Sequence, residues 1–519
     1  MIKRAEIIVE PWQASSEEHL RQILSSYLRV KEDEILAIRI IRRSIDARSR
    51  NIKINLGVDV FINELPAVGS EYKPEFKDVT AQTEVVIIGA GPAGLFAALR
   101  LIELGFRPII FERGKDVNSR KRDIAAIHRN EGVNPDSNYG FGEGGAGTFS
   151  DGKLFTRSKK KGDIHRILEI FHYHGAQDEI LYDAHPHIGT NVLPRVIKQM
   201  RNSILDCGGE IHFNSKVTGL ILSSDSVEGV KLQNGISVSA KAVILATGHS
   251  ARDIYSMLYH NGIQLESKNF AVGVRVEHPQ ALIDEIQYKR SQRGIYLPAA
   301  TYNFVEQVEG RGVYSFCMCP GGTIVPASTA PDELVVNGMS SSSRSGLFAN
   351  SGMVVEVRSE DLGDYLKFNE LSGLKFQEAI ERSCFKEAGS SQIAPSQRLN
   401  DFIRGAFSST LPKTSYHPGI LSSDFNQWLP GFICERLKKG FLQIGTKAKA
   451  FVTNEAIMVG VESRTSSPIR IPRDEFTFEH IQFKNLFPCG EGAGYSGGIV
   501  SSAVDGERCA EKVAHKLRR

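Results

Sequence analysis

Residues 84–114, EVVIIGAGPAGLFAALRLIELGFRPIIFERG, decide how this chain is read. Residues 85–88 are a short apolar run of the kind a buried parallel strand presents. Gly89, Gly91 and Gly94 follow at G-x-G-x-x-G spacing and lead into a helical pattern with Leu95, Ala98, Leu99 and Ile102 on one face. Gly105 suits the helix end. Residues 108–111 read as a second strand, closed by Glu112. Each part has a task in holding a dinucleotide. Gly89 permits the tight turn, Gly91 lets backbone approach a pyrophosphate, and Gly94 lets helix and strand pack closely. The helix N-terminus offers unpaired N–H groups and partial positive charge to phosphates. Glu112 is placed to accept hydrogen bonds from a ribose.

A chain of 519 residues is long for one domain, so two or three are expected. With 41% hydrophobic and 24% charged residues it can bury a sizeable core. A net charge of +3 excludes global steering toward nucleic acid and leaves only local patches. Seven scattered cysteines make neither a disulfide framework nor a zinc pattern. No metal is therefore expected, and a reducing, cytoplasmic location fits. The N-terminus, MIKRAEIIVEPW, turns polar too soon for a signal peptide. No run of about 18 apolar residues is present to span a membrane.

Residues 1–63 have the order β-α-β-β of a small ferredoxin-like unit. Ser15 and Glu18 match a capping box, and residues 52–62 alternate apolar and polar almost without a break. Arg39, Arg42, Arg43, Arg48, Arg50 and Lys53 cluster there, with Asp46 the one acid among them. An RNA-facing patch is one reading. A charged sheet edge guarding against aggregation is the other, favoured because no stacking aromatics accompany the arginines. Residues 64–83, with Pro66, Gly69 and Pro74, read as a linker.

After the dinucleotide motif, residues 138–155 (NYGFGEGGAGTFSDGKLF) pack six glycines into one loop. So many glycines imply backbone passing close to something flat or charged. A loop beside a flavin ring is the functional reading, with Thr148, Ser150, Asp151 and Lys153 as polar contacts; a mobile surface loop is the other. Residues 242–246 are an apolar strand ended by Thr247 and Gly248, where ligands of a doubly wound sheet lie. Residues 270–455 carry no second nucleotide motif and have the make-up of an inserted substrate domain. Within them Cys317 and Cys319 point to one face of a strand. A redox pair is one reading; because the usual redox motif has two intervening residues, small buried packing residues are the favoured one. Arg344 sits in a polar loop. His249, His278 and His417 show no partner, and no catalytic base is assigned. Near the C-terminus, Gly490 and Glu491 end a strand. Gly497, Gly498 and Ile499 then open a helix whose N-terminus can favour negative charge at a flavin's N1/O2 edge.

With these motifs in hand, the chain resembles two-domain flavoproteins of the succinate dehydrogenase/fumarate reductase type. More closely, it resembles a bacterial family of uncharacterised FAD-dependent dehydrogenases. The matching segments are VVIIGAGPAGLFAA…FERG, FGEGGAGTFSDGKL, AVILATGHSARD, GVESRTSSPIRI and FPCGEGAGYSGGIVSSAVDG. The resemblance implies an α/β fold. A Rossmann-like FAD-binding domain (84–269 and 456–519) would hold an inserted α+β substrate domain (270–455) and follow the ferredoxin-like α+β unit. It places the FAD pyrophosphate on Gly89, Gly91, Pro92, Ala93 and Gly94, the adenosine ribose on Glu112 beside Arg113, and adenine against Val217. Thr247 and Gly248 would close over the nucleotide. The loop residues Gly145, Ala146, Gly147, Thr148, Ser150, Asp151 and Lys153, with Gly490, Glu491, Gly497, Gly498 and Ile499, would surround the flavin. Glu491 stands where Asp usually does. Arg275, Arg344 and Arg464 are the candidate substrate contacts, with Lys153 a further cation there. The expected function is hydride transfer between FAD and an unidentified small molecule, with three candidate electron partners: NAD(P)H docking transiently as donor, another protein, or oxygen. An RNA-modifying flavoenzyme, or a non-catalytic FAD-bound sensor recruiting a protein partner, are the alternatives.

Overall fold

The apolar strand Glu84–Ile88 lies at the centre of a five-stranded sheet in the computed structural model, which describes residues 1–66, 72–156 and 162–519. The order is Leu486–Pro488, Val243–Leu245, Glu84–Ile88, Arg107–Phe111, Glu210–His212. Every neighbouring pair is parallel. Such strands are covered on both faces, which is why they read as unbroken apolar runs. The chain builds outward from Glu84–Ile88 on one side and then crosses to Val243–Leu245 on the other. The strand order therefore reverses between those two, and their carboxyl ends carry Gly89 and Thr247.

Pro92 starts the helix Pro92–Leu104, and Gly105 ends it in the left-handed conformation (φ 81°). The C-terminal helix Ile499–Leu517 packs against it. A side chain on Gly506 would lie 2.1 Å from the Ala93 carbonyl oxygen, so this glycine permits the contact.

The second domain is built on a seven-stranded sheet in the order Val305–Val308, Arg311–Cys319, Phe348–Val357, Phe270–Pro279, Ile457–Glu462, Ala394–Arg398, Ile420–Ser422. Its core includes Phe402, Phe425, Phe441 and Phe451. Ile457–Glu462 pairs antiparallel with both Phe270–Pro279 and Ala394–Arg398. The second domain thus reaches past the boundary expected at residue 455. A six-residue apolar strand looks the same whichever sheet it joins.

The N-terminal strands Ile2–Val9, Ile35–Asp46 and Lys53–Ile62 form an antiparallel sheet with the third in the middle, and the helix Glu17–Leu28 lies between the first two in sequence. Its cap is Ser16, whose hydroxyl accepts from His19 N–H at 3.4 Å, in place of the expected Ser15–Glu18 box. The cationic strand is a docking edge. Arg43 exchanges backbone hydrogen bonds with Tyr182 and Ala184, each 2.9 Å, and its guanidinium donates to both Asp183 oxygens at 2.6 and 2.9 Å. Pro66 and Pro74 lie in irregular backbone, and Gly69 falls outside the described residues. No helix among the described residues is long and apolar enough to cross a membrane.

Two glycines of the first motif separate packing from space. A Cβ on Gly94 would sit 2.0 Å from the Gly89 carbonyl oxygen, whereas one on Gly91 would meet nothing nearer than the Gly145 Cα at 3.9 Å. Gly94→Ala is expected to cost about 1–3 kcal/mol through overpacking. Gly91→Ala should cost under about 1 kcal/mol, from a poorer helix cap. Denaturant unfolding of the flavin-stripped variants checks the difference.

Candidate functional site

Gly89 turns at φ 103°, and a side chain there would be 2.5 Å from the Ala246 carbonyl oxygen, so the first loop lies tight against the neighbouring strand's end. The buried Glu112 carboxylate then fixes that loop. One oxygen accepts from Ala90 N–H (2.8 Å), the other from Gly114 (2.9 Å) and Gly142 (3.0 Å). Gly144 N–H adds a bond to the Ala90 carbonyl (2.8 Å). The two glycine-rich loops are thereby zipped together. The second is no mobile surface loop: the fully buried Arg120 guanidinium donates to the carbonyls of Asn138, Tyr139 and Glu143 at 2.7–2.8 Å.

These loops wall one cavity of about 370 Å³ at the carboxyl ends of the parallel strands. From the first motif it is lined by Gly89, Gly91, Pro92, Ala93, Glu112 and Arg113. The second loop gives Gly145, Ala146, Gly147, Ser150, Asp151 and Lys153. Val217, Thr247 and Gly248 add another wall, and Gly490, Glu491, Gly497, Gly498 and Ile499 close it from the C-terminal segment. Two long helices, Pro92–Leu104 and Ile499–Leu517, start at this cavity, and neither first turn is capped by a side chain. Their free N–H groups and partial positive charges face it.

Four expected contacts fall elsewhere. Thr148 is buried and donates its hydroxyl to the Glu143 carbonyl (2.9 Å), holding the loop's shape. Gly94 is taken up by packing on Gly89. Arg275 is fully buried and donates to Asn350 (2.7 Å), Asn337 (3.1 Å), Glu462 (2.6 Å) and the Cys317 carbonyl (2.6 Å). Arg344 lies behind the wall and grips Asp151, with Nε at 3.1 Å. Arg464 does reach the cavity, but its guanidinium is held by Thr329 (2.6 Å), Glu333 (3.0 Å) and Glu381 (2.7 Å).

The second domain adds residues that the sequence left without a role. Phe316, Cys317 and Asn337 line the cavity, as does His249. His249 follows Thr247-Gly248 at a strand's carboxyl end, which is the one sequence signal that pointed to it. Its Nδ1 lies 3.8 Å from Glu491. Burial, with Arg464 and Arg252 nearby, pushes the imidazole down to about 4. Burial lifts the Glu491 carboxyl to about 7, against the pull of Lys268. Burial alone would raise Asp151, but Lys153 and Arg344 outweigh it and hold it below its usual value. Burial would lower Lys153, but Cys317, Cys319 and Asp151 raise it. Near neutral pH the cavity thus holds a neutral imidazole, a half-protonated carboxyl and a cation balanced by its own carboxylate.

Cys489, Asp505 and Cys509 also come together, their ligand atoms within 4.8 Å. The Arg473 guanidinium supplies the positive charge at that cluster, bonding Asp505 (2.6 and 3.0 Å) and Cys509 (3.3 Å).

The lining suits a flavin dinucleotide. Side chains added at Gly91, Gly248, Gly497 or Gly498 would meet no protein atom within 3.9 Å, so all four glycines leave a continuous cradle open. Residues 82–252 match the FAD binding domain family, and residues 269–465 match the family described as FAD-dependent protein, C-terminal domain-like. Residues 1–61 match a domain of unknown function. FAD is the cofactor. A thiamine thiazole synthase of Methanococcus maripaludis is 28% identical over 192 residues, 34% of this chain and 60% of its own. Among solved structures, CtdE in complex with FAD covers 84% of each chain at 12% identity and TM-score 0.31. The flavin-dependent brominase Bmp2 covers 84% of this chain and 80% of its own at 14% identity and TM-score 0.34. Scores this low carry no weight for the reaction. The matches support an FAD-dependent protein and give no support to the succinate dehydrogenase/fumarate reductase type. An uncharacterised protein of Clostridium beijerinckii is 39% identical over 520 residues, 96% of each chain. This chain belongs to the same family, one of FAD-dependent proteins.

Proposed function

We propose that this protein is an FAD-dependent oxidoreductase that moves hydride between the flavin and a small oxygenated molecule seated against the second domain. One observation carries the proposal: five separate chain segments and two uncapped helix starts converge on a single cradle whose remaining wall belongs to another domain. Bound there, FAD supplies the hydride chemistry, and the protein binds, orients and tunes.

The role of each residue follows from its place. Gly91, Pro92 and Ala93 would hold the pyrophosphate on the first helix start, with Val217 against adenine and Arg113 toward the adenosine end. Glu112 acts indirectly, since both its oxygens are spent on backbone amides. Gly498 and Ile499 would offer backbone N–H groups to the flavin's pyrimidine edge. His249 and Glu491 form a proton-handling pair at the cavity wall. Lys153 and Arg464 each already face carboxylates, which favours a neutral carbonyl or hydroxyl substrate over a multiply charged one. NAD(P)H is the electron donor to test first.

The RNA reading loses much of its charge, since four of the six cations named for it are paired. Arg39, Arg43, Arg48 and Lys53 pair with Asp59, Asp183, Asp46 and Glu10 respectively. The non-catalytic sensor reading is tested by the same experiment as the enzyme. Holoprotein is mixed anaerobically with NADH, NADPH and a metabolite panel while flavin absorbance is followed. Bleaching by any of them supports the oxidoreductase; yellow protein inert to all would overturn it.

Three further outcomes are expected. Gly91→Val should purify with at least about tenfold less flavin per protein by visible absorbance, because the new side chain fills the open cradle. Glu112→Gln places an amide N–H against backbone donors. Losing charge-assisted bonds worth about 1.5–3 kcal/mol should weaken FAD roughly 10- to 100-fold, read by fluorescence titration. Glu491 provides a pH signature. Its carboxyl sits near 7 in the folded protein, and the FAD phosphates favour its protonated form, so binding above pH 7 must take up a proton. FAD affinity should fall severalfold from pH 6 to pH 8 in the wild type and stay flat in Glu491→Gln.

A further inference from the structure

Cys317 and Cys319 occupy a strand, yet they do not sit as packing residues do. Four residues, Phe316 to Cys319, oppose three on the partner strand, since Phe316 pairs with Gly352 and Cys319 with Asn350. This is a β-bulge, and bulges re-aim side chains. Cys317 itself adopts the left-handed conformation (φ 47°), unfavourable for a side chain of this size. The result is convergence. Both sulfurs lie within 4 Å of one ammonium, Lys153 Nζ, at 3.8 Å from Cys317 and 3.9 Å from Cys319. The Cys319 thiol donates to the Cys317 carbonyl at 3.3 Å. The Arg275 guanidinium approaches Cys319 Sγ at 3.6 Å and fixes the Cys317 carbonyl at 2.6 Å. Cys317 lines the cavity, and Cys319 is fully buried behind it.

We propose that Cys317 and Cys319 are a dithiol/disulfide site that exchanges two electrons with FAD. This rests on FAD occupying the adjoining cavity. On oxidation the two S–H bonds break and one Sγ–Sγ bond forms. The electron pair and one proton pass to oxidised flavin, and the second proton leaves to solvent; reduction reverses each step. The cations explain why the exchange would run from Cys317. Thiolate is the reactive form, and cations favour it. The neighbouring Cys319 thiol and the Lys153 ammonium hold the Cys317 thiol well below its ordinary range. Cys319 is held well above its own, its proton retained by the bond to Cys317 and by burial. One sulfur is thus primed at the cavity and the other stands in reserve to close the ring. Asp151 and Arg344 extend the arrangement by holding Lys153 in place.

All seven cysteines are free thiols in the structure, which represents the reduced form of the pair. The test uses FAD-loaded protein. After equilibration in air it is acid-quenched, alkylated and digested with trypsin. The peptide 312–344 holds Cys317 and Cys319 and no other cysteine. It is expected about 2 Da light and unalkylated, and after anaerobic dithionite doubly alkylated. Stoichiometry gives a second readout: full bleaching of wild-type flavin should take four electrons per FAD, and two in both Cys317→Ser and Cys319→Ser. A doubly alkylated peptide from air-equilibrated protein, or a two-electron wild type, would overturn the proposal. Protein that binds no FAD would instead sink the cofactor site on which it rests.

Discussion

One carboxylate holds the nucleotide end of this molecule together. Glu112 accepts amide hydrogens from Ala90, Gly114 and Gly142, which belong to the first loop, the turn after the second strand and the second glycine-rich loop. A buried carboxylate is costly unless fully hydrogen-bonded, and three backbone donors discharge that cost. The consequence is geometric. With those amides fixed, the first loop and the second lie against each other at Gly91 and Gly145, and the first helix start is left uncapped toward the cavity. Arg120 does the complementary work from the other side, giving three N–H groups to three carbonyls of the same loop. An anion that collects amides and a cation that collects carbonyls make a glycine-rich segment rigid without any side chain of its own.

The second domain meets this cradle through charge that is buried and paired. Arg464 and Arg252 share Glu381, and Arg275 faces Glu462. Removing one partner from such a pair leaves an uncompensated buried charge, which costs far more than the pair contributes. Of these, Arg252 crosses between the domains, from the start of the helix Arg252–His260 to Glu333 and Glu381, and so holds the second domain against the strand ends; the other two pairs fix the second domain's own wall. The same commitment withdraws these arginines from substrate binding. The neutral groups left at the wall, the His249 imidazole and the Asn337 amide among them, are what a ligand would meet.

How much of this the sequence disclosed depends on the range of the interaction. The three motif glycines, the strands on either side, Thr247-Gly248 and the final helix start were legible, because turn geometry and apolar periodicity are local. Gly94 and Gly89 do what their spacing implies, since each is needed within a few residues of itself. Glu112 was found but not its orientation: spacing fixes where a carboxylate stands, not which donors reach it first. Arg275 and Arg344 were misplaced for a related reason. An arginine's charge is visible in a sequence, but Glu462 and Asp151, nearly two hundred residues away, decide whether that charge is free.

The cysteine pair shows the limit most clearly. Strand periodicity alone puts Cys317 and Cys319 on one face, and from that two small buried residues are the favoured reading over a redox pair. What changes the outcome is one extra residue in the strand and one left-handed backbone conformation, neither of which has a sequence signature when the residue is not glycine. Lys153 completes the arrangement from a loop 164 residues upstream of Cys317. Reactivity of a thiol is set by the charges around it, and here every such charge arrives by folding. A pattern search on cysteine spacing alone would pass over this site, because C-x-C gains its chemistry from the bulge and the ammonium and not from the interval.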